Sequence, residues 1–314
     1  MIRRNWRLKR KTKIILLMIF LIGLLCFLSM IRKAPETLDR SSEPSISLYL
    51  KEENRTIELL LEDYILGCVA AEMPASFEIE ALKAQAVSVR SYSLRKIRDK
   101  RQYPMGADLS DDINSCQAYV PWQEFAHRHP MDTERLWERL KKAVSDTRGE
   151  IMIYNGLPID ALYHSTCGGC TESAVDVWGT EVPYLSSVDC RYCSESKFFA
   201  SVQVFSNQEL QDSIGDIDGM ELKIIEKSPG GRVKKIAINE QEISGEEFRE
   251  KLKLPSRWWD LKINDNRLIV NSRGYGHGIG MCQYGANGMA EEGKRYREIL
   301  NKYYNGIQFY KMDY

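Results

Sequence analysis

The apolar positions between residues 61 and 72 recur with the spacing of one face of a helix. This stripe consists of Leu61, Tyr64, Ile65, Cys68 and Val69. The next position on the same face is Glu72, where a further hydrophobic residue is expected. Because burial disfavours the ionised form, a carboxyl group at the edge of an apolar face should have a raised pKa. Glu72 is therefore a candidate general acid, although a glutamate at this position can also simply end a helix in solvent.

A second helix follows the Met73-Pro74 pair, which predicts that the first helix ends at or near Glu72. Ser76 is a candidate N-cap, with acidic residues in the first turn and several alanines along the helix. The hydrogen-bonding groups of Gln85, Arg90 and Tyr92 interrupt the alanine-rich surface. This pattern fits either a helix that borders a polar cleft or an ordinary amphipathic helix.

The elements downstream predict an α+β fold. Residues 134–144 have the periodicity of an amphipathic helix, and residues 150–154 and 158–163 predict a hairpin around an Asn-Gly turn. Residues 198–270 contain alternating strands but no cluster of catalytic residue types. We therefore expect a helical catalytic core with β-hairpins and a smaller, mostly β inserted subdomain that supports the core or contacts a partner.

The N-terminus predicts a membrane anchor. Residues 1–13 are strongly basic, and residues 14–31 form an uncharged run close to the length of a bilayer span. The run is longer than a typical signal-peptide core and lacks an obvious cleavage site, which favours an uncleaved anchor. The positive-inside rule then places residues 32–47, a polar tether, and residues 48–314, the folded domain, outside the cytoplasm.

Charge argues against a nucleic-acid partner. The formal net charge is zero, but residues 1–33 contain nine Lys or Arg and no acid. The rest of the chain is consequently acidic overall, which excludes a basic surface for nucleic acid as its main feature.

Four cysteines form two C-x-x-C pairs, at Cys167 and Cys170 and at Cys190 and Cys193. This spacing is typical of a tetrahedral, structural zinc site. Outside the cytoplasm, however, the same thiols can persist as two disulfides. His164 is an alternative ligand, and its position beside Ser165 at a strand end fits the polar wall of an active site equally well.

A glycine-rich stretch covers residues 273–286. Its glycines allow sharp turns and close approach of the backbone to a ligand or another segment. His277 lies between two of them, which is unusual for a packed core histidine. The stretch lacks the phosphate-binding fingerprints.

These stretches together resemble one family. The motifs are A-A-E-M-P (70–74), E-A-L-K-A-Q-A-V-S-V-R-S-Y (80–92), Y-H-S-T-C-G-G (163–169), D-V-W-G (176–179) and G-H-G-I-G-M-C-Q-Y-G-A (276–286). In this order they resemble the stage II sporulation protein D family over about residues 46–310. Cys282 departs from the serine that usually follows G-M, and the additional cysteines resemble clostridial members, which favours zinc.

The resemblance implies a lytic transglycosylase anchored in the mother-cell membrane. Such a protein acts on peptidoglycan during engulfment of the forespore, on glycan strands that an amidase has stripped of their peptides. The implied partners are that amidase, the stage II sporulation protein P, and a membrane scaffold, protein M. The family's catalytic acid corresponds to Glu72.

The chemistry of a lytic transglycosylase needs only one carboxyl group. Ordinary glycosidases need two, but here the C6 hydroxyl of muramic acid attacks its own anomeric carbon. We expect Glu72 to donate a proton to the leaving oxygen and later to accept one from that hydroxyl. Arg90 or Tyr92 would stabilise the developing charge. The other expected substrate-binding residues are Gln85, His164, Ser165, His277, Gln283 and Tyr284.

Two alternatives stay open at this point. The domain could bind glycan without cleaving it and act as an enhancer of a cell-wall amidase. It could also be a structural element whose zinc site docks a partner.

Overall fold

The computed structural model describes residues 42–215, 220–264 and 266–314. The predicted basic tail and membrane anchor lie outside these ranges, as does most of the predicted tether. None of the helices in the described ranges combines the length and the apolar character that crossing a bilayer requires. The first strand begins at Ser45, slightly before the predicted start of the folded domain at residue 48.

The described residues form a mixed α+β structure, which confirms the predicted fold class in outline. The helices are α1 (Leu61–Glu72), α2 (Ile79–Arg98), α3 (Trp122–Arg128), α4 (Thr133–Asp146), α5 (Ala174–Trp178), α6 (Asn207–Gln211), α7 (Gly245–Lys251), α8 (Gln283–Glu291) and α9 (Tyr296–Tyr303). The strands are β1 (Ser45–Leu50), β2 (Arg55–Leu60), β3 (Leu109–Ser110), β4 (Glu150–Tyr154), β5 (Leu157–Pro158), β6 (Tyr163–His164), β7 (Ser201–Ser206), β8 (Leu222–Lys227), β9 (Val233–Ile238), β10 (Gln241–Ser244), β11 (Trp258–Asn264), β12 (Arg267–Arg273), β13 (Met281–Cys282) and β14 (Gln308–Lys311).

Helix α1 ends at Glu72, as the following proline predicts. Met73 is extended, with φ −127° and ψ 137°, because a residue before proline avoids the helical conformation. The prediction that Ser76 caps α2 is wrong. Phe77 is buried and its N–H donates to the carbonyl of Pro74, so the chain makes one more turn before the helix begins. Glu78 is the N-cap residue instead, and no side-chain cap is present.

The main hydrophobic core surrounds α2, whose middle residues are almost all buried. This helix contacts α1, α4, α8, α9 and β4. Its small alanine side chains allow these elements to approach closely. One sheet has the strand order β2-β1-β3 and another has the order β14-β4-β5. The predicted helix at 134–144 is confirmed as α4.

The predicted hairpin after α4 is confirmed only in its first half. β4 pairs with β5 over two residue pairs, Ile153 with Pro158 and Tyr154 with Leu157. Tyr163 is not part of this hairpin. It begins β6, which pairs in parallel with β13, so that Tyr163 lies opposite Met281 and His164 opposite Cys282. The tertiary structure thereby joins the motif around residue 163 to the glycine-rich stretch.

A second hydrophobic cluster lies in the β-rich segment after residue 198. Its centre contains Phe248 and Trp259, between sheets of order β10-β9-β8 and β11-β12-β7. Most of the predicted strands here are confirmed, and Ser244 caps α7 by accepting from the N–H of Glu247. β11 was not predicted. It pairs with β12 along its whole length, from Trp258–Arg273 to Asn264–Arg267.

Candidate active site and cysteine cluster

Glu72 lies at the C-terminal end of α1 and faces a cleft. Its side chain is half-buried, and the backbone N–H of Ala118 donates to Oε1 over 2.8 Å. Burial raises the pKa of the Glu72 carboxyl, and hydrogen bonds with Ala118 and with the Tyr163 hydroxyl only partly oppose that rise. A carboxyl group in this environment keeps its proton to a higher pH than a free one, as a general acid requires.

Tyr163 connects Glu72 to a buried polar network that the sequence did not predict. Its hydroxyl donates to Oε1 of Gln117 over 2.9 Å. The Gln117 amide in turn donates to Oγ of Ser93 over 3.1 Å and to the hydroxyl of Tyr64 over 3.3 Å. Tyr163 opens the motif at 163–169 and could have been singled out on that ground, whereas no periodicity marks the segment that contains Gln117.

The cleft beside Glu72 has a volume of about 960 Å³. Tyr92, Tyr163, Trp178 and His277 line it with aromatic side chains, and Trp178 is about half exposed at 51%. A volume near the upper end of the range for ligand pockets can hold a saccharide larger than one sugar ring. Of the residues predicted to bind substrate, Tyr92 and His277 line this cleft.

A second cleft has a volume of about 880 Å³. The two clefts share Ile113, Asn114 and Ala118 as lining residues. Because Ala118 donates to the Glu72 carboxyl, the acid lies beside the wall that the two clefts have in common.

His277 and Gln283 orient other groups of the site. Nδ1 of His277 accepts from the N–H of Ile279, so Nε2 carries the proton and donates to the carbonyl of Tyr163 over 3.0 Å. Burial lowers the pKa of His277 to about 4, so the ring is neutral at pH 7. The Gln283 amide donates to the backbone carbonyl of Glu72 over 3.0 Å and to Gln85 Oε1 over 3.3 Å.

Two of the residues predicted to bind substrate, Arg90 and Gln85, are buried and do not line the cleft. Arg90 is 0% exposed and forms a bidentate ion pair with Glu62, over 2.9 and 2.7 Å. A third Arg90 N–H donates to the carbonyl of Glu150. Gln85 is also 0% exposed and reaches only Gln283 among its described hydrogen-bond partners. These two residues hold elements together and do not line the cleft.

His164 is buried, and Ser165 and Tyr284 are partly buried. Nδ1 of His164 is 3.0 Å from the carbonyl of Ile279, and burial lowers the pKa of this imidazole. The carbonyl of Ser165 accepts from the N–H of Tyr284, whose ring packs edge-on against Phe77. None of these three is among the described residues that line the cleft.

A buried cysteine cluster forms next to this region. The sulfur atoms of Cys167, Cys190, Cys193 and Cys282 all lie within 4.8 Å of one another. None of the four forms a disulfide, and the sulfur atoms of Cys167 and Cys193 are 3.4 Å apart. Four sulfur ligands about 2.3 Å from a zinc ion would be separated by about 3.8 Å, so the arrangement fits a tetrahedral ion.

The predicted ligand set is corrected at one position. Cys170 points away from the cluster, and its sulfur donates to the carbonyl of Gly230. Cys282 takes its place, with its sulfur accepting from the N–H groups of Cys167 and Gly285. The parallel pairing of β6 with β13 brings Cys282 to the cluster, and His164 is not a member of it.

Comparisons with known proteins agree with the motifs. A family model described as "SpoIID: Stage II sporulation protein" matches residues 49–154. The stage II sporulation protein D of Bacillus subtilis (strain 168) is 38% identical over 287 residues, which cover 90% of this chain and 83% of that protein. The protein of the same name from Bacillus amyloliquefaciens is 33% identical over 285 residues, with the same two shares.

A more distant relative has a different name. The amidase enhancer of Bacillus subtilis (strain 168) is 28% identical over 298 residues, which cover 76% of this chain and 39% of that protein. The stronger matches, to the two stage II sporulation proteins D, extend over most of both chains. The chain therefore belongs to the stage II sporulation protein D family.

Proposed function

We propose that this protein is a lytic transglycosylase that cleaves the β-1,4 bond between N-acetylmuramic acid and N-acetylglucosamine in peptidoglycan. The observation that best supports this proposal is the environment of Glu72, a half-buried carboxyl group with a raised pKa beside a cleft of about 960 Å³. Membership of the family supports a role in engulfment of the forespore during sporulation, and we propose that the protein is anchored in the mother-cell membrane.

A single acid can complete this reaction. Glu72 gives its proton to the glycosidic oxygen as the bond to the anomeric carbon breaks. The C6 hydroxyl of the same muramic acid then bonds to that carbon and returns a proton to Glu72, so no water is consumed and a 1,6-anhydro ring forms. The other carboxylates of the cleft support this assignment because each is paired with a cation, Asp160 with Lys96 and Asp99 with Arg95.

The surrounding residues hold Glu72 in position for both proton transfers. Ala118 fixes one carboxyl oxygen and Gln283 fixes the backbone at the end of α1. The neutral His277 holds the backbone of Tyr163, whose hydroxyl lies beside the acid. Tyr92 lines the cleft and is the better candidate for stabilising developing charge, since Arg90 is enclosed in the core.

The test compares full-length protein in detergent with its Glu72→Gln variant on amidase-treated glycan strands. We expect anhydromuramyl products from the wild type and a loss of about 10²–10⁴-fold in the variant, the usual contribution of a general acid. Glu78→Gln is the matched control because Glu78 is an exposed acid just before α2. Equal product from wild type and Glu72→Gln would end the assignment.

The similarity to an amidase enhancer supports a second candidate function. In that case the cleft binds glycan without cleaving it and the protein stimulates the engulfment amidase, the stage II sporulation protein P, next to the membrane scaffold, protein M. Glu72→Gln would then leave amidase stimulation intact while neither protein yields anhydromuramyl products.

We also propose that Cys167, Cys190, Cys193 and Cys282 hold a structural zinc ion. Four thiolates leave no open coordination position, so the ion would cross-link the chain and would not bind substrate. Metal analysis of protein purified without added zinc should find one ion per chain. Cys282→Ser should lose it, and Cys170→Ser should retain it. Absence of metal together with thiols that do not titrate would favour disulfides instead.

A further inference from the structure

The catalytic cleft is lined by two cationic side chains, Lys96 and Arg101. The ammonium group of Lys96 donates to Oδ1 of Asp160 over 2.8 Å and lies 4.4 Å from the centre of the Tyr92 ring. Only 10% of this side chain is exposed. The charge of Lys96 is therefore already balanced within the protein.

Arg101 differs from Lys96 in having no such partner. The residue is exposed, and its backbone N–H bonds to the carbonyl of Lys96 just past the end of α2. In the described part of the chain, no ion pair or side-chain hydrogen bond involves its guanidinium. Asp99, the acid closest in sequence, is paired with Arg95 and Arg98.

The charge of the Arg101 guanidinium acts on the hydroxyls of two tyrosines, Tyr92 and Tyr103. Burial raises the pKa of Tyr92 and of Tyr103, and the positive charge of Arg101 partly opposes the rise at both hydroxyls. Tyr92 lines the cleft together with Glu72, and the Tyr103 hydroxyl donates to the carbonyl of Ser115, another lining residue. The cleft thus presents one uncompensated cation to a bound ligand.

The resemblance to the family implies strands that an amidase has stripped, and we propose that Arg101 is the residue that distinguishes them, by binding the free lactyl carboxylate of N-acetylmuramic acid. This proposal rests on the proposed function, because it assumes that peptidoglycan occupies the cleft. An amidase hydrolyses the amide between the lactyl group and the peptide and leaves a carboxylate. A guanidinium pairs with a carboxylate through two parallel charged hydrogen bonds, whereas the uncleaved amide is neutral and offers a single acceptor oxygen.

The experiment measures binding to the full-length Glu72→Gln protein, so that no cleavage disturbs the equilibrium. The two ligands are a short peptide-free glycan and the same glycan with its lactyl carboxylates capped as methylamides. We expect the free carboxylate form to bind about tenfold more tightly, as a charged hydrogen-bonded pair allows. Arg101→Gln should reduce this preference to nearly one, and Arg101→Lys should keep part of it.

Arg98→Gln is the matched control. It removes the same charge from the end of α2, but Arg98 pairs with Asp99 and is not a lining residue of the cleft. The preference for the carboxylate should survive in this variant. In the protein that retains Arg101, the preference should weaken as salt is added, because the guanidinium is exposed.

Two results would overturn the proposal. One is equal binding of the two glycans before any change at Arg101, and the other is an undiminished preference in Arg101→Gln. If wild-type protein forms no anhydromuramyl product but the carboxylate preference still depends on Arg101, the cleavage reaction is refuted and carboxylate recognition stands.

Discussion

At the scale of single residues, the Tyr163 hydroxyl can form a hydrogen bond with the Glu72 carboxyl in either protonation state of the acid. The Tyr163 hydroxyl has a single hydrogen, which it donates to Gln117 in the structure. It can instead donate to an ionised Glu72, or accept from a protonated one. Because Gln117 is held by Ser93 and Tyr64, the hydroxyl stays in reach of the acid in both protonation states. This contact lowers the pKa of Glu72 against the larger effect of burial.

Tyr163→Phe should therefore shift the pH dependence of cleavage. Removing the hydroxyl removes a hydrogen bond that favours the ionised carboxylate, so the pKa of Glu72 rises further. Cleavage needs the protonated form and declines as pH increases through that pKa. The alkaline limb of kcat/KM against pH should move to higher pH in the variant, and Tyr310→Phe, which changes an exposed tyrosine, should leave it in place. An unchanged limb or a shift to lower pH would contradict the contact.

At the scale of elements, the short pairing of β6 with β13 connects the acid site to the cysteine cluster. This pairing requires very close approach of the backbone at Gly280. A Cβ atom there would lie 2.0 Å from the carbonyl oxygen of Leu162, and the residue has φ +71°. The N–H of Met281 donates to that same carbonyl over 3.0 Å. Only glycine satisfies both the dihedral angle and the space.

Gly280→Ala should lower the free energy of unfolding and reduce activity together. The positive φ costs an alanine about 1–2 kcal/mol, and the clash adds about 1–3 kcal/mol of overpacking. Gly293→Ala is the control, since Gly293 has a similar φ of +82° but no atom within 4 Å of the added Cβ. Gly293→Ala should lose only the about 1–2 kcal/mol that the positive φ costs, and it should keep full activity per folded molecule. Denaturant unfolding and glycan cleavage measure the two effects, and equal losses in both variants would refute the special role of Gly280.

At the scale of the whole molecule, Arg232 joins the β-rich segment to the cysteine cluster. Its side chain is 2% exposed, and one Nη donates to the carbonyls of Cys167 and Cys170 over 2.8 and 3.0 Å. The carboxylate of Glu172 lies 3.9 Å from the other Nη. The segment that carries no catalytic cluster of its own thus supports the backbone from which Cys167 projects.

Arg232→Gln should weaken binding of the proposed zinc ion about 10–100-fold, the usual effect of losing a group that orients a ligand. It should also destabilise the fold, because Glu172 would lose its buried cation. Lys234→Gln, two residues further along the chain in β9, is the control, since Lys234 is partly exposed and pairs with Glu226 at the surface. Competition with a chromophoric chelator gives the affinities. Equal affinities for the two variants would refute the coupling between the segments.

The sequence by itself determined the α+β class, the end of α1 at Glu72, the helix predicted at 134–144 and most strands of the β-rich segment. These features depend on neighbours within a few turns or residues, such as the proline after Met73 or the alternation of apolar positions. The motifs also identified the family, and they predicted Glu72 as the acid. Their order along the chain was sufficient for that inference because recognition of a motif requires no knowledge of distances in space.

Only the tertiary structure decided which distant groups meet. Cys282 replaces Cys170 in the cluster through a strand pairing between segments more than a hundred residues apart, which no local spacing reveals. Arg90 is a polar residue on a predicted cleft helix, but a partner from another helix, Glu62, makes its burial favourable. Tyr163 and Gln117 become parts of the site for the same physical reason. A side chain's solvation and pKa depend on what surrounds it in space, and those surroundings come from remote parts of the chain.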